Sequence, residues 1–346
     1  MHIIFTIGDI NGIGLEVLLK ALLNNENWFD FHCFYVMGNK IILKYVIEKN
    51  YNEFATVCED NNEIILKSGN KINILEIKHT DVLKIGKQIR NKELNFGLGN
   101  LSKESGIVAK HSIIEAIHLI KKTDAKKKID AIVTLPISKK AIHLSDKFFI
   151  GHTELISNLC NKKNSIMILF ADKLRVTLAT IHTPIFKINK QITNKRLRTL
   201  CKIFNATLKK DFKINSPKIA VLGLNPHSGD NGMFGTEENK IIIPTIKIMK
   251  KKGIDLEGTF SADGFFASEN YLKYDGIIAM YHDQGLIPLK MLANGRGVNF
   301  TANLPIVRTS PDHGTGFEIA GKNIANEQSM TNAINSAIMI VENRKK

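Results

Sequence analysis

The chain has 346 residues, of which 44% are hydrophobic and 23% are charged. That length exceeds the ~150 residues of an ordinary domain, so it fits one large or two ordinary α/β domains and excludes a small disulfide-stapled module. The formal net charge of +15 makes three classes of partner candidates: nucleic acid, an anionic membrane and acidic small substrates.

The lysines are scattered along the chain rather than gathered in one stripe. Two short clusters occur, within Lys121–Lys128 and Lys247–Lys252, each beside a helical pattern and neither interleaved with aromatic residues. Nucleic-acid readers need a basic stripe along one element or stacking rings within a groove. The sequence therefore predicts solvated helix ends and no nucleic-acid partner.

The cysteines and the apolar runs indicate the compartment. The four cysteines are Cys33, Cys58, Cys160 and Cys201; they stand far apart without CxxC spacing, which is typical of a reduced compartment. The start lacks the features of a signal peptide, and no apolar run approaches the ~18 residues of a membrane span. We expect a cytoplasmic, soluble protein with no membrane partner.

Short apolar runs alternate with longer helical patterns, which indicates an open α/β architecture with a mostly parallel sheet covered by helices. The predicted strands, in chain order, are His2–Ile7, Phe31–Met37, Asn73–Ile77, Ala131–Leu135, Ser165–Phe170, Val176–Ile181, Ile219–Leu224 and Gly276–Met280. Helical spacing occurs at Ile113–Ile120 and at Met330–Val341. The polar stretch Lys78–Asn100 is predicted to be a mobile loop or a boundary.

Three histidines stand at the ends of predicted strands. His182, His227 and His282 each follow a separate strand, and ligands in open α/β sheets bind outside the carboxyl ends of strands. One edge of the sheet would then bring three imidazoles together, a pattern typical of a catalytic metal. The alternative for each histidine is a hydrogen-bonded loop residue, and the spacing alone does not decide between them.

Acidic residues accompany two of these histidines. Asp283 is next to His282 and is a candidate to orient it from the second shell of a metal site. Glu237 and Glu238 follow the glycine-rich segment after His227, and we assign them to turn chemistry and helix capping instead.

A cationic set follows in the last part of the chain, at Lys290, Asn299 and Arg308. A lysine point charge and a bidentate arginine fork together grip phosphate or carboxylate, although isolated cations are also common on surfaces. The glycine-rich segment Gly8–Gly14 follows the first strand, but its spacing is not the Rossmann dinucleotide fingerprint.

Five tracts carry a resemblance that runs nearly end to end. They are Gly8–Gly14, Gly151–Glu154, Gly223–His227, Ala279–Leu286 and Arg308–Thr315, and the most specific is Ala279–Leu286, with the sequence Ala-Met-Tyr-His-Asp-Gln-Gly-Leu. In the same order they closely resemble the 4-hydroxythreonine-4-phosphate dehydrogenase family of pyridoxine biosynthesis. The resemblance implies an isocitrate/isopropylmalate dehydrogenase-like, two-subdomain α/β/α fold that is not a Rossmann domain. Ile10 and Asn11 depart from it, since the family commonly has Pro and Ala there.

The resemblance also implies roles for individual residues. It places a divalent metal, zinc with magnesium or cobalt as alternatives, on His182, His227 and His282. The implied substrate-binding residues are His152, Thr153, Lys290, Asn299 and Arg308. A loop near 312–322, similar to the cofactor-adenosine loop of isopropylmalate dehydrogenases, would bind NAD, with NADP as a second option, through His313, Gly314, Thr315, Ile319, Ala320 and Gly321. Asp263 and Asp283 are the candidate catalytic bases.

The implied reaction is NAD-dependent, metal-assisted oxidation and decarboxylation of the phosphorylated amino acid 4-phosphooxy-L-threonine to 3-amino-2-oxopropyl phosphate. The resemblance further implies a homodimer with shared active sites. One discontinuous subdomain would comprise residues 1–125 and 265–346, and the other, with the dimer contacts and metal histidines, residues 126–264. Two alternatives stay open: a dehydrogenase of a related sugar-acid phosphate (4-phospho-D-threonate or D-erythronate), and a His-metal phosphohydrolase that needs no NAD.

Overall fold

The computed structural model describes residues 1–122 and 128–345, and its contacts divide the chain into two compact units. The first unit comprises Met1–Lys163 with Leu304–Met339, and the second comprises Asn164–Asn303 with Ile340–Lys346. The expected subdomain boundaries are between residues 125 and 126 and between residues 264 and 265, and the bounds of the two units differ from them. The first expected boundary lies outside the described residues. His282 consequently belongs to the second unit, together with His182 and His227.

The strands cover short, mostly apolar segments. In chain order they are β1 His2–Thr6, β2 Cys33–Gly38, β3 Ala55–Cys58, β4 Glu63–Leu66, β5 Lys71–Glu76, β6 Ala131–Thr134, β7 Ile166–Ala171, β8 Leu174–Leu178, β9 Lys218–Leu222, β10 Asp255–Phe260, β11 Gly276–Ala279, β12 Val298–Ala302 and β13 Val307–Pro311.

The α-helices connect these strands. They are α1 Gly14–Leu23, α2 Lys40–Asn50, α3 Thr80–Arg90, α4 Lys103–Lys121, α5 Lys139–His143, α6 His152–Leu159, α7 Ile188–Gln191, α8 Asn194–Lys210, α9 Ile243–Lys250, α10 Ala262–Ala267, α11 His282–Ala293 and α12 Gln328–Lys345. Within the described ranges, none of the helices has the length and apolar character needed to cross a membrane.

The strands of the first unit follow the order β13-β6-β1-β2-β5-β4-β3. The pairs from β13 to β5 are parallel, whereas β4 pairs antiparallel with both β5 and β3. Every residue of β6 is completely buried, as expected for a parallel strand covered on both faces. Its pairing with β1 explains why residues after 130 belong to this unit.

The strands of the second unit follow the order β10-β9-β11-β8-β7-β12. β10, β9, β11 and β8 are parallel, and β7 runs antiparallel to β8 and β12. The core of this unit includes Val176, Ala220, Ile277 and Leu289, which lie on β8, β9, β11 and α11. Because β9, β11 and β8 run in the same direction, their carboxyl ends meet at one edge.

All eight predicted strands are confirmed to within a few residues, and the two segments with helical spacing lie within α4 and α12, although α4 begins ten residues before the first of them. The loop prediction for Lys78–Asn100 is wrong, because this stretch contains α3, which buries Val82, Ile85 and Ile89 on one face. β13 was missed because Arg308 and other polar residues interrupt its apolar pattern, although all its residues are buried.

Candidate active site

The three histidines predicted as metal ligands follow three neighbouring parallel strands of the second unit. His182 follows β8, His282 follows β11 and His227 follows β9, in a sheet ordered β9-β11-β8. All three therefore leave the sheet at its carboxyl edge, where ligands of open α/β folds bind.

Hydrogen bonds tie the ends of these strands together. The Thr180 backbone N–H and hydroxyl both donate to the Met280 carbonyl, at 3.1 and 2.8 Å. Gln284 reaches the third strand, because its Nε2 donates to the Gly223 carbonyl at 2.6 Å while its Oε1 accepts the Met280 N–H at 2.7 Å. Sequence reasoning missed Gln284, although it stands in the most specific tract.

His182 and His282 form a close pair. Their ring centroids are 6.1 Å apart, a separation suited to two imidazoles on one ion. Nδ1 of His282 is 2.7 Å from Asp283 Oδ1, which orients the ring as carboxylates do behind metal-binding histidines. Among the described residues of this single chain, however, no three His, Cys, Asp or Glu side chains form a group that could hold a metal.

His227 lies on an irregular segment whose backbone is held by a buried carboxylate. His227 itself has φ of 51°. Oε1 of Glu238, a residue only 2% exposed, accepts the backbone N–H groups of Leu224 and Asn225 at 2.7 and 2.8 Å. The turn role expected for Glu238 is therefore observed, and through it the carboxylate fixes the path of the chain toward His227.

The two candidate bases are both exposed carboxylates. Hydrogen bonds from the Ser261 hydroxyl and the Gly264 backbone lower the pKa of Asp263, and the nearby His227 adds a smaller lowering effect. Asp263 is accordingly ionised at neutral pH. Asp283 is engaged with the His282 ring.

Arg308 is the largest fully buried side chain among the described residues, at 1% exposure. It lies on β13, and its Nε and Nη2 donate to Oγ1 of Thr134 at 3.1 and 2.6 Å. Burial lowers the pKa of the guanidinium to about 10, and the carboxylate of Glu154 opposes that effect. Arg308 is therefore a fixed, buried cation at neutral pH.

His152 and Thr153 begin α6 in the same unit. Burial, and then the charges of Arg308 and Lys139, hold the pKa of His152 well below its usual value, so the ring is neutral at pH 7. Its Nε2 atom is buried and has no hydrogen-bond partner in the part of the chain that the structure describes. A buried orphan nitrogen of this kind is a ready contact for a polar ligand.

Two other predicted substrate residues lie in the second unit. Lys290 is exposed on α11, eight positions after His282. Asn299 lies on β12, and its Oδ1 atom is buried without a partner among the described residues. Asn299, like His152, thus offers an unsatisfied polar atom.

The predicted cofactor loop packs against the glycine-rich segment after β1. The Ile13 N–H donates to the Thr315 carbonyl at 2.9 Å. A Cβ at Gly12 would stand 2.5 Å from that same carbonyl oxygen, so a residue with a side chain would push the two segments apart. Asn11, one of the departures from the family pattern, donates from Nδ2 to the Asn100 carbonyl at 2.8 Å.

The remaining cofactor candidates line the same loop. His313, Thr315, Ile319 and Ala320 are half-buried, and Gly314 and Gly321 are exposed. A Cβ at Gly314 would meet no atom within 4 Å, so the backbone there is open to a ligand.

Asp9, in the first tract, was missed as a candidate. It is 1% exposed, and burial raises the pKa of its carboxyl to about 6 although the Asn11 N–H donates to Oδ1 at 3.1 Å. Carboxyls with such raised pKa values cluster at functional sites.

Comparison with known proteins gives a consistent result over nearly the whole chain. Residues 31–337 match the family described as pyridoxal phosphate biosynthetic protein PdxA. The chain is 40% identical, over 99% of its length and 89% of the relative's, to a 4-hydroxythreonine-4-phosphate dehydrogenase of Bacteroides thetaiotaomicron. It is 34% identical, over 97% of its length and 98% of the relative's, to a D-threonate 4-phosphate dehydrogenase of Pectobacterium atrosepticum.

Solved structures support the fold class. The crystal structure of 4-hydroxythreonine-4-phosphate dehydrogenase from Klebsiella pneumoniae has a TM-score of 0.79 at 31% identity, covering 98% of this chain and 99% of that one. Isocitrate dehydrogenase from Methylococcus capsulatus has a TM-score of 0.50 at 11% identity, over 99% and 86% of the two chains. The second likeness concerns the fold alone, and it confirms the expected isocitrate dehydrogenase-like class.

Proposed function

The chain belongs to the PdxA family of pyridoxal phosphate biosynthetic proteins, and from this premise we propose that it is a 4-hydroxythreonine-4-phosphate dehydrogenase. The observation that carries the proposal is the 40% identity, over 99% of the chain, to a relative of that name. The reaction removes a hydride from C3 of 4-phosphooxy-L-threonine and a proton from its C3 hydroxyl. Loss of CO2 from the resulting β-keto acid then gives 3-amino-2-oxopropyl phosphate.

Binding of the doubly anionic substrate is assigned to the five predicted residues, which are His152, Thr153, Lys290, Asn299 and Arg308. Buried Arg308 supplies a planar fork for an oxyanion, and His152 supplies a neutral imidazole whose Nε2 lacks a partner among the described residues. Lys290 adds a positive charge, while Asn299 offers an amide. Each of them is proposed to hold a charged or polar group of the substrate, and fixed substrate groups favour reaction at C3.

A divalent metal fits the donor chemistry of the histidine edge. His182, His227 and His282 would be its three ligands. In the proposed homodimer, both copies of the chain would contribute ligands to each site. Such an ion supplies a Lewis acid that stabilises negative charge on the substrate oxygen in both steps. The described residues of one chain do not form a complete ligand group, which is compatible with the proposed homodimer with shared sites.

The nicotinamide cofactor is assigned to the loop near 312–322 of the first unit. NAD, or NADP, supplies the hydride acceptor when bound. The open backbone at Gly314 and the support of Thr315 by Ile13 favour this loop. The residue proposed to accept the C3 hydroxyl proton is Asp263, which is ionised at neutral pH; Asp283 is proposed to orient His282.

A second function has one specific observation in its favour. The D-threonate 4-phosphate dehydrogenase relative is 34% identical over 97% of the chain, so a sugar-acid phosphate is a competing substrate. The proposed metal and cofactor residues would serve both substrates.

The test is NADH formation by the purified protein. We expect turnover of 4-phosphooxy-L-threonine with CO2 release, loss of turnover with a chelator and recovery on adding zinc, magnesium or cobalt. Faster turnover of 4-phospho-D-threonate or D-erythronate would transfer the protein to the second function. Release of inorganic phosphate without NADH would instead identify a phosphohydrolase.

A further inference from the structure

Arg308 owes its position to a residue that none of the sequence motifs contains. We propose that Thr134 is a positioning residue, whose hydroxyl holds the Arg308 guanidinium in the orientation that binds an oxyanion of the substrate. The inference rests on the proposed function, because it assumes that Arg308 binds this anion.

The pairing of two strands brings the residues together. β13 pairs in parallel with β6, and Arg308 lies opposite Ile132. Side chains two positions apart on a strand share a face, so Thr134 lies on the same face as Ile132. Thr134 is two residues closer to the carboxyl end of β6. The Arg308 side chain therefore extends along the strand direction, toward the edge where ligands of open sheets bind.

The contact engages one side of the guanidinium fork. Nε and Nη2 both donate to Oγ1 of Thr134, at 3.1 and 2.6 Å. An arginine side chain has four rotatable bonds and would otherwise sample several orientations. Two donors converging on one fixed oxygen set the plane of the guanidinium before substrate arrives, and such preorganisation reduces the entropy lost on binding.

The environment makes this contact hard to replace. Thr134 is 0% exposed and Arg308 is 1% exposed, so the hydroxyl cannot simply be exchanged for bulk water. Thr134→Val keeps the shape of the side chain and removes the acceptor. The Nε and Nη2 groups then lose the Thr134 oxygen as an acceptor, and the orientation that this oxygen sets is no longer fixed by it.

The experiment compares Thr134→Val with Thr134→Ser and with a matched control. Thr309 is the control, because it is also 0% exposed, lies next to Arg308 on β13, and donates its hydroxyl to the helix carbonyl of Ala333 at 2.8 Å. We expect Thr134→Val to raise KM for the phosphorylated substrate ~10-fold or more. KM for NAD should stay within about twofold, and Thr134→Ser and Thr309→Val should both stay near wild type.

Several outcomes would overturn the inference. A KM for substrate within about twofold of wild type in Thr134→Val would remove the role, as would an equal rise in Thr309→Val or a failure of Thr134→Ser to restore binding. If Thr134→Val does not fold, Thr134→Ala is measured instead; it leaves room for a water in place of the hydroxyl, and we expect an intermediate KM.

The failure of the proposed function would look different. If the wild type oxidises a sugar-acid phosphate instead, the same KM ratios are measured on that substrate, because all the candidate substrates carry the anionic groups that Arg308 is proposed to bind. If it oxidises none, the melting temperature with inorganic phosphate is the readout. Thr134→Val should then abolish the stabilisation seen in the wild type, and an unchanged shift would reject the role.

Discussion

Arg308 and His282 are held in opposite ways. Arg308 is 1% exposed and donates twice to a residue of the adjacent strand, whereas the side chains of His282 and its partner Asp283 are 41% and 68% exposed. The orientation of Arg308, which is buried between two strands, is set when the chain folds. His282 lies at the end of a strand beside an exposed carboxylate, so the proposed metal ligand reaches its final geometry when the other ligands assemble around the ion.

The largest effect is expected at the exposed end of this comparison. His282→Ala removes an imidazole from the pair with His182, so we expect loss of bound metal and a fall of ~1,000-fold or more in kcat/KM, since a metal supplies several kcal/mol of charge stabilisation. Metal content and NADH formation measure it. His118→Ala, at an exposed position of α4, is the control. Full metal content with normal turnover in His282→Ala would exclude His282 as a ligand.

The buried end is tested by Arg308→Lys, which keeps the charge and loses the planar fork. We expect kcat/KM to fall ~10- to 100-fold, mainly through KM for the phosphorylated substrate, with metal content unchanged. The matched control is Arg296→Lys, at a half-exposed arginine paired with Asp172 at 3.3 Å. Joint loss of metal and cofactor binding in Arg308→Lys would contradict an anchoring role.

A smaller effect separates the two exposed carboxylates. Asp283→Asn weakens the orientation of His282, and we expect metal affinity to fall ~10-fold, as for other groups behind metal-binding histidines. Asp263→Asn is expected to keep metal affinity and to lose turnover. Titration of each variant with zinc, followed by rate measurements at saturating metal, distinguishes the roles. The reverse pattern would exchange the assignments.

The smallest effect on turnover is expected at Asp9, where the change is in stability. Its folded-state pKa of about 6 lies above the value of 3.8 for an unperturbed Asp, so the folded state binds the proton more tightly. Stability therefore falls as pH rises from about 4 to 6 and stays lower above that. Asp9→Asn should raise the free energy of unfolding at pH 7.5 by up to about 3 kcal/mol, with little change at pH 4.

Urea unfolding at the two pH values checks this expectation. Asp263→Asn serves as the comparison, because Asp263 is exposed and should show no such gain. An Asp9→Asn protein that is less stable than wild type at pH 7.5 would show that the ionised carboxylate stabilises the fold.

The sequence allowed eight of the thirteen described strands, and the polar residues at several of their ends, to be predicted, because apolar runs report burial directly. It could not show which strands are neighbours. The proximity of His182 and His282 depends on the strand order β9-β11-β8. The bridge that Gln284 makes between Met280 and Gly223 depends on it too.

Long-range contacts explain the other omissions. Thr134 and Arg308 are 174 positions apart, and β13 has too little apolar character to be predicted as a central strand. The glycine spacing of the first tract does not reveal that Asp9 is buried, and burial is the property that raises the pKa of its carboxyl.

The first unit has a consequence for protein synthesis. Its β6 lies between β1 and β13, but β13 leaves the ribosome more than 170 residues after β6. At ~5–20 residues per second, the nascent chain spends many seconds in which β6 has neither the backbone partners of β13 nor the guanidinium of Arg308. The second unit lies almost entirely within that interval, so its strands can pair first. Translation speed across residues 164–303 therefore sets how long the contact between Thr134 and Arg308 stays unformed.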